Sequence, residues 1–491
     1  MEGGVFVTFE QWGKKYGLIV SVLAFFLIWA LPTPAGMTLV QHKLLAIFGG
    51  AIIMWITIGV NFAVSTFAIV VLLYFWVGNA TGAVAKDGSL IRNAGFAVSG
   101  FASPSLWLLV TGFVISIAMT RTGVAKRVAL LLMKGLGRTP SGAIAATMLA
   151  NFAIAPLTPS NTARTAAMLP IVEGIAAAYD AKPGKSNFGK ALALSATFTS
   201  NITGSAFLTG TIPNPVAIGL IAAAAGGSIF TTWSYWALAA IPTNILILAA
   251  TLWLCLKLYP PEVKSLPGGL SYVDKQLEEM GPISVPEKKA IAYFILALVL
   301  WSTDAIHKFD SSMVAFFVGL LIFLPRIGVL EWRETEKSLP WELFVYFGGV
   351  LTLSGVLMQT KSFEWLIKTG MAALGLQSMA MMPLLIILIG FSIFSHVIWS
   401  TTTAMAGVMM PIYIGLAQAL GFPVVAFCMP LALMMAYALF LPFNTMGNII
   451  MFGAGYYTVT EQVKSSILLG LIIWGLWIVT AFTWWSWIGL L

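Results

Sequence analysis

Apolar residues run along this chain in long blocks separated by short polar connections, without the strict alternation of a half-buried strand. Blocks close to the ~20 residues that span a bilayer recur over the whole length. They place membrane helices at about 17–31, 44–60, 62–78, 104–120, 190–225, 235–257, 290–306, 312–325, 341–358, 423–456 and 466–491. The pattern predicts an all-α integral membrane protein with about eleven transmembrane helices. Lys14 and Lys15 ahead of the first block imitate a signal peptide, but no clear small-residue cleavage site follows, so the block is read as the first membrane helix.

Two further apolar segments are interrupted by polar residues. The first, 141–178, is split by Ala155-Pro156-Leu157-Thr158-Pro159-Ser160-Asn161-Thr162 into arms of roughly 16 residues, about 24 Å each if helical. Arms that short do not cross ~30 Å of hydrocarbon comfortably, and polar backbone at their tip is tolerated only where it lines a wet cavity. A re-entrant hairpin is expected, with two full helices joined by an exposed turn as the alternative. The second segment, 380–421, breaks at Ser400-Thr401-Thr402-Thr403. Aligning Pro411 with Pro170 superimposes Ser160-Asn161-Thr162-Ala163 on Thr401-Thr402-Thr403-Ala404, Met168-Leu169 on Met409-Met410, and Gly174 on Gly415. After each segment comes a long apolar span broken in its middle, at Thr209-Gly210-Thr211-Ile212-Pro213-Asn214 and at Phe443-Asn444-Thr445-Met446-Gly447-Asn448, with Thr-x-x-Asn in both. The repeat unit is thus a hairpin plus a broken helix, and such units meeting at mid-depth mark the site of a secondary transporter.

Composition sharpens this picture. Charged residues make up 9% of 491, against roughly a quarter in soluble domains, and hydrophobic residues 59%, which excludes a water-solvated globule. Mean hydropathy is +0.93. The net charge of +8 resides in short connections, where it sets orientation and implies no nucleic-acid partner. The connection 121–139 holds Arg121, Lys126, Arg127, Lys134 and Arg138 with no acid, and Lys182, Lys185 and Lys190 mark a second basic connection. Both are expected in the cytoplasm, which puts the N-terminus in the cytoplasm and the C-terminus outside and makes the two repeats inverted. Cys255 and Cys428 sit in apolar stretches, so neither a disulfide framework nor a metal site is proposed, and no cofactor either. Trp484, Trp485 and Trp487 suit an interfacial belt.

The tips offer Ser160, Asn161 and Thr162 from one side and Thr401, Thr402 and Thr403 from the other, each ahead of an apolar helical run. Backbone amides at a helix N-terminus favour an anion, although such residues also cap helices everywhere. Arg164 lies one turn beyond Asn161 in an otherwise apolar arm, and His396 precedes the second tip in a stretch without charge. An uncompensated Arg at that depth is costly, so an anionic ligand is its expected partner, with snorkelling or pairing to Glu173 as alternatives. His396 reads equally as a charge-compensating group or as a neutral helix residue. No carboxylate occurs between Lys190 and Lys257 or between Lys368 and Glu461, which disfavours proton coupling. Sodium could be held by carbonyls and hydroxyls. A fixed Arg164, however, supplies positive charge that never dissociates, so loaded carriers cross and empty ones stall.

The run Thr158-Pro159-Ser160-Asn161-Thr162-Ala163-Arg164 resembles the Ser-Asn-Thr signature of the divalent anion/sodium symporter family, in the branch of the 2-oxoglutarate/malate translocators and the citrate/succinate antiporter. The order of spans, hairpins and breaks is similar over nearly the whole chain. The resemblance implies a homodimer in the cell membrane, each protomer carrying a scaffold and a transport domain that slides as an elevator. It implies di- or tricarboxylate substrates touched by Ser160, Asn161, Thr162, Thr402 and Thr403, with Thr211 and Thr445 from the broken helices. It also divides the chain: scaffold 1–103, transport elements 104–230, a scaffold helix 231–257, a cytoplasmic linker 258–289, scaffold 290–340, transport elements 341–456 and a last helix 457–491. This sequence departs from the family pattern in having Thr401-Thr402-Thr403 at the second tip, Met446-Gly447 where sodium-coupled members have a Pro pair, and Met405 where exchangers often have His.

The expected activity is sodium-independent exchange of C4 to C5 dicarboxylates such as 2-oxoglutarate, malate and succinate. A sodium-coupled symporter of the same architecture is the ranked alternative. An anion channel fits less well, because two short hairpins closing from opposite faces argue for alternating access. An intramembrane enzyme has no motif behind it, since Ser160 has no His or Lys nearby in sequence.

Overall fold

The computed structural model describes residues 4–78, 92–226, 231–262, 271–374, 379–399 and 401–491. Ser400, in the second polar tip, lies outside the described residues, as does part of the expected linker. Twenty helices have eight or more residues, and no strand occurs among the described residues. Eight helices are long and apolar enough to cross a membrane by length and composition, and shorter apolar helices such as Phe62–Val77 and Ser311–Phe323 occupy other expected blocks. The chain is a multi-pass integral membrane protein.

The element order runs twice. Leu39–Thr57, Phe62–Leu72, Pro104–Arg121, Val124–Leu136, the first hairpin, the first broken helix and Trp233–Leu258 are followed by Val285–Ser302, Ser311–Phe323, Trp341–Gln359, Ser362–Leu374, the second hairpin, the second broken helix and Val459–Phe482. The first hairpin has arms Pro140–Ile154 and Asn161–Ala178, and the second has Met381–Phe394 and Thr402–Leu420. The broken helices are Asn187–Ala206 with Pro213–Ala225, and Val424–Leu433 with Met446–Gly453.

The repeated Thr-x-x-Asn has a structural cause. A broken helix leaves carbonyls without amide donors, and in lipid these must find partners inside the protein. Asn214 Nδ2 donates to Gly204 O and Phe207 O, each at 2.8 Å. Asn448 Nδ2 donates to Ala438 O at 2.8 Å and Leu441 O at 3.1 Å, at the same sequence offsets. One carboxamide thus sutures each break.

Helices also form where the sequence reading left connections. Val124–Leu136 lies within 121–139, with Val124, Ala125, Ala129, Leu130 and Met133 buried at helical spacing while Lys126 stays exposed. Ser271–Met280 forms inside the linker. It carries Tyr272 against the first hairpin: a Cβ on Gly174 would stand 2.3 Å from Tyr272 Cζ. At the aligned Gly415 a Cβ would stand 2.6 Å from Phe363 Cβ. The paired glycines are therefore notches that receive a neighbouring helix.

Arg127, buried on Val124–Leu136, donates from Nε to Glu287 Oε1 at 2.7 Å and from Nη1 to Gly281 O at 3.0 Å. Glu287 stands in the first turn of Val285–Ser302, ahead of the apolar block that begins near 290. The Arg127 hydrogen bond holds its carboxyl below the usual carboxylate range, against the opposing effect of burial. The linkage sign follows: the contribution is complete above the ordinary glutamate pKa of about 4.3 and is lost as pH falls through the depressed folded value. Acidification is expected to lower the amide protection factors in 124–136, after correction for the pH dependence of intrinsic exchange, by about tenfold, or ~1.4 kcal/mol. In Glu287→Gln that acid-induced step should be absent, which exchange measured by mass spectrometry checks.

Candidate substrate site

The first tip is built by proline and serine. Ala155–Leu157 forms one turn of 3-10 helix, and Ser160 in extended conformation caps the second arm by accepting from Ala163 N at 3.2 Å. One turn further, Arg164 is fully buried and its guanidinium reaches back under the tip. Nη1 donates to Thr158 O and to Gly210 O, while Nη2 donates to Asn161 Oδ1 at 2.6 Å and Ser200 O at 2.7 Å. Hairpin tip and helix break are thereby fastened together by one cation. The acceptors are carbonyl and amide oxygens, and Glu173 is not among them. Thr209 Oγ1 adds a bond to Pro156 O at 3.0 Å.

The second tip has the same plan and different chemistry. Thr401 caps its arm by accepting from Ala404 N at 3.0 Å. Met405 takes the place of Arg164, and the fastening is done from the break: Asn444, which corresponds to Gly210, donates from Nδ2 to His396 O at 2.7 Å and Trp399 O at 3.1 Å. His396 is buried in the turn Ser395–Ile398, and neither ring nitrogen has a hydrogen-bond partner among the described residues.

Each broken helix packs its second half on the other repeat's hairpin, which brings residues of each break beside the opposite tip. Met446–Gly453 lies along Asn161–Ala178, and Pro213–Ala225 lies along Thr402–Leu420. A Cβ on Gly447 would stand 2.9 Å from Thr165 Oγ1 and 3.1 Å from Asn161 O, so only glycine permits this approach. A Cβ on Gly204 would meet Asn161 Oδ1 at 2.8 Å, Arg164 Nη2 at 3.2 Å and Thr211 Cβ at 3.3 Å. The helices that begin at Asn161 and Met446 form one packed pair, and those that begin at Pro213 and Thr402 form another.

Their polar groups divide by use. Ser160, Thr401 and Thr445 each accept a capping bond, the last from Asn448 N at 3.1 Å, and keep their O–H as a donor. The hydroxyls of Thr162, Thr211, Thr402 and Thr403 have no hydrogen-bond partner among the described residues. Free hydroxyls and amide-rich helix ends, backed by a guanidinium, can bind an anion with oxygen ends. Among the described residues no His, Cys, Asp and Glu cluster could hold a metal ion. Sequence reasoning missed Ser200, Asn201 and Gly204, whose only signal is an unusual run of small polar residues, 195–205, along a buried helix. A cavity of about 430 Å³ opens between Pro213–Ala225 and the helices Pro104–Arg121 and Trp341–Gln359, but its lining includes Asp310 and none of the expected site residues.

Comparison with known proteins agrees with this architecture. The chain is 28% identical over 487 residues to the L-tartrate/succinate antiporter of Escherichia coli strain K12, covering 97% of this chain and 98% of that protein. It is 28% identical over 467 residues to an uncharacterized transporter of Haemophilus influenzae, covering 94% of each. Among solved structures, the Alcanivorax borkumensis YdaH transporter matches 88% of this chain and 99% of its own with a TM-score of 0.57 at 14% identity. Neisseria gonorrhoeae MtrF matches 86% and 96% with a TM-score of 0.56 at 16% identity, so both speak for the fold alone. The family model described as the sodium:sulfate symporter transmembrane region matches residues 13–491, and the chain belongs to that family, the divalent anion/sodium symporters, as a transporter and not an enzyme.

Proposed function

We propose that the chain is a sodium-independent exchanger of C4 to C5 dicarboxylates such as succinate, malate and 2-oxoglutarate. The observation that carries this reading is the place of Arg164. Carbonyl oxygens of Thr158, Ser200 and Gly210 and the amide oxygen of Asn161 surround its guanidinium. Such an all-oxygen cradle would suit a hard cation, and here a tethered one fills it. The matching place in the second repeat is filled by the neutral carboxamide of Asn444. That both places already have donors supports a carrier that works without sodium.

A dicarboxylate held by Ser160, Asn161, Thr162, Thr211, Thr401, Thr402, Thr403 and Thr445 would neutralise the buried charge. His396 is a second charge-compensating candidate. Without the dianion, the carrier would move an unpaired guanidinium through a low-dielectric path, which is costly. Exchange follows, with hairpins and broken helices sliding as an elevator in each protomer of a homodimer in the cell membrane. The N-terminus would lie in the cytoplasm and the C-terminus outside. The name of the Escherichia coli relative, an antiporter of L-tartrate and succinate, supports antiport of small dicarboxylates.

Proteoliposomes preloaded with succinate or malate are expected to take up labelled succinate at the same rate in sodium and in choline, and empty ones at least about tenfold more slowly. Uptake into empty vesicles driven by external sodium would instead establish the symporter.

A further inference from the structure

Beneath the site, a line of side-chain amides runs from one repeat to the other. Arg164 Nη2 donates to Asn161 Oδ1 at 2.6 Å, Asn161 Nδ2 donates to Asn201 Oδ1 at 3.2 Å, and Asn201 Nδ2 donates to Asn448 Oδ1 at 2.9 Å. Asn448 Nδ2 ends the line on Ala438 O and Leu441 O. Amide oxygen and nitrogen are hard to tell apart by shape, so orientation must come from partners. Here both ends are unambiguous. Backbone carbonyls only accept, so Asn448 must turn its NH2 to them and its oxygen to Asn201. Asn201 must then donate to Asn448, which turns its own oxygen to Asn161. A guanidinium only donates, so Asn161 must turn its oxygen to Arg164 and its NH2 to Asn201. Asn161 is left with one uncommitted N–H, a donor suited to a carboxylate.

We propose that Asn201 is a positioning residue for substrate: fully buried, it holds the Asn161 carboxamide in its donor-forward orientation and ties the first hairpin tip to the second helix break. The position that corresponds to it in the second repeat is Met435, so the device exists once. Asn201 also donates to Thr197 O at 3.0 Å within its own helix, which fixes its rotamer independently of ligand. Removing it frees Asn161 to rotate and leaves the ligand to supply the ordering, so affinity falls while the moving parts are unchanged.

This inference rests on the dicarboxylate reading, and the experiment separates the two. Full-length wild type and Asn201→Leu are reconstituted in succinate-loaded liposomes, and exchange of labelled succinate is measured against external concentration. The expected result is a KM raised about tenfold, with the maximal rate per folded protein changed less than about twofold, the split that marks lost ground-state binding. A packing role would lower the amount of folded protein or the maximal rate and leave KM alone, and that outcome overturns the proposal. Should Asn201→Leu fail to fold, Asn201→Thr retains a hydroxyl acceptor for Asn161 and is expected to raise KM by about threefold. An unchanged KM there overturns it equally. Failure of wild type to exchange any C4 or C5 dicarboxylate removes the functional reading, and this inference with it.

Discussion

Arg164→Leu is expected to abolish dicarboxylate exchange and to loosen the first hairpin in the same stroke. The substitution withdraws the donor from Thr158 O, Gly210 O, Ser200 O and Asn161 Oδ1 together. Each buried acceptor left without a donor costs roughly 1–3 kcal/mol. Water that enters to replace the guanidinium satisfies oxygens but brings no charge for the anion. Arg164→Lys separates these effects: a point-like ammonium keeps the charge yet cannot fork between tip and break. Lysine is expected to restore thermal stability only in part and to leave exchange at least about a hundredfold below wild type, since the tip is no longer held against Gly210. Uptake in preloaded proteoliposomes, with thermal unfolding of the same preparations, checks both. Full exchange in either variant would remove Arg164 from the site.

The second large effect belongs to the sutures. Asn448→Leu and Asn214→Leu each leave two carbonyls at a helix break unpaired in an apolar surrounding, a loss of roughly 2–4 kcal/mol per suture. The two are not equivalent for transport. Asn448 also accepts from Asn201, so its loss disturbs the amide line under Asn161, whereas Asn214 holds only its own break. Both variants are expected to lower thermal stability by similar amounts. Among molecules that fold, Asn448→Leu should show the larger rise in KM for succinate. Equal KM values would mean that the second break and the first tip act independently.

Much of this was legible in order along the chain. The apolar blocks, the two interrupted segments and the aligned breaks all sit where the residues placed them, because bilayer length and the demands of unpaired backbone leave few alternatives. Thr-x-x-Asn was visible as a repeat, but its purpose was not. Nothing local says that an asparagine will reach back to carbonyls at the end of the preceding helical segment. The helix Val124–Leu136 was hidden for a different reason: its basic residues read as an orientation signal and masked the apolar stripe beneath them. Arg164 stands out in the sequence by the cost of burying it, but two of its four acceptors, Ser200 O and Gly210 O, belong to a segment 36 to 46 residues away.

By itself the sequence determined the class of molecule, the repeated order of interrupted segment and broken helix, and the hydroxyl-rich tips, since each follows from residue type and spacing along one strand of chain. Only the tertiary structure decided which of those hydroxyls cap a helix and which have no partner, that the guanidinium fills an oxygen cradle at a helix break, and that Asn161, Asn201 and Asn448 form one polarised line. The physical reason is that a hydrogen bond in a low-dielectric interior depends on which donor meets which acceptor. In this fold those meetings occur between segments that the chain order keeps far apart.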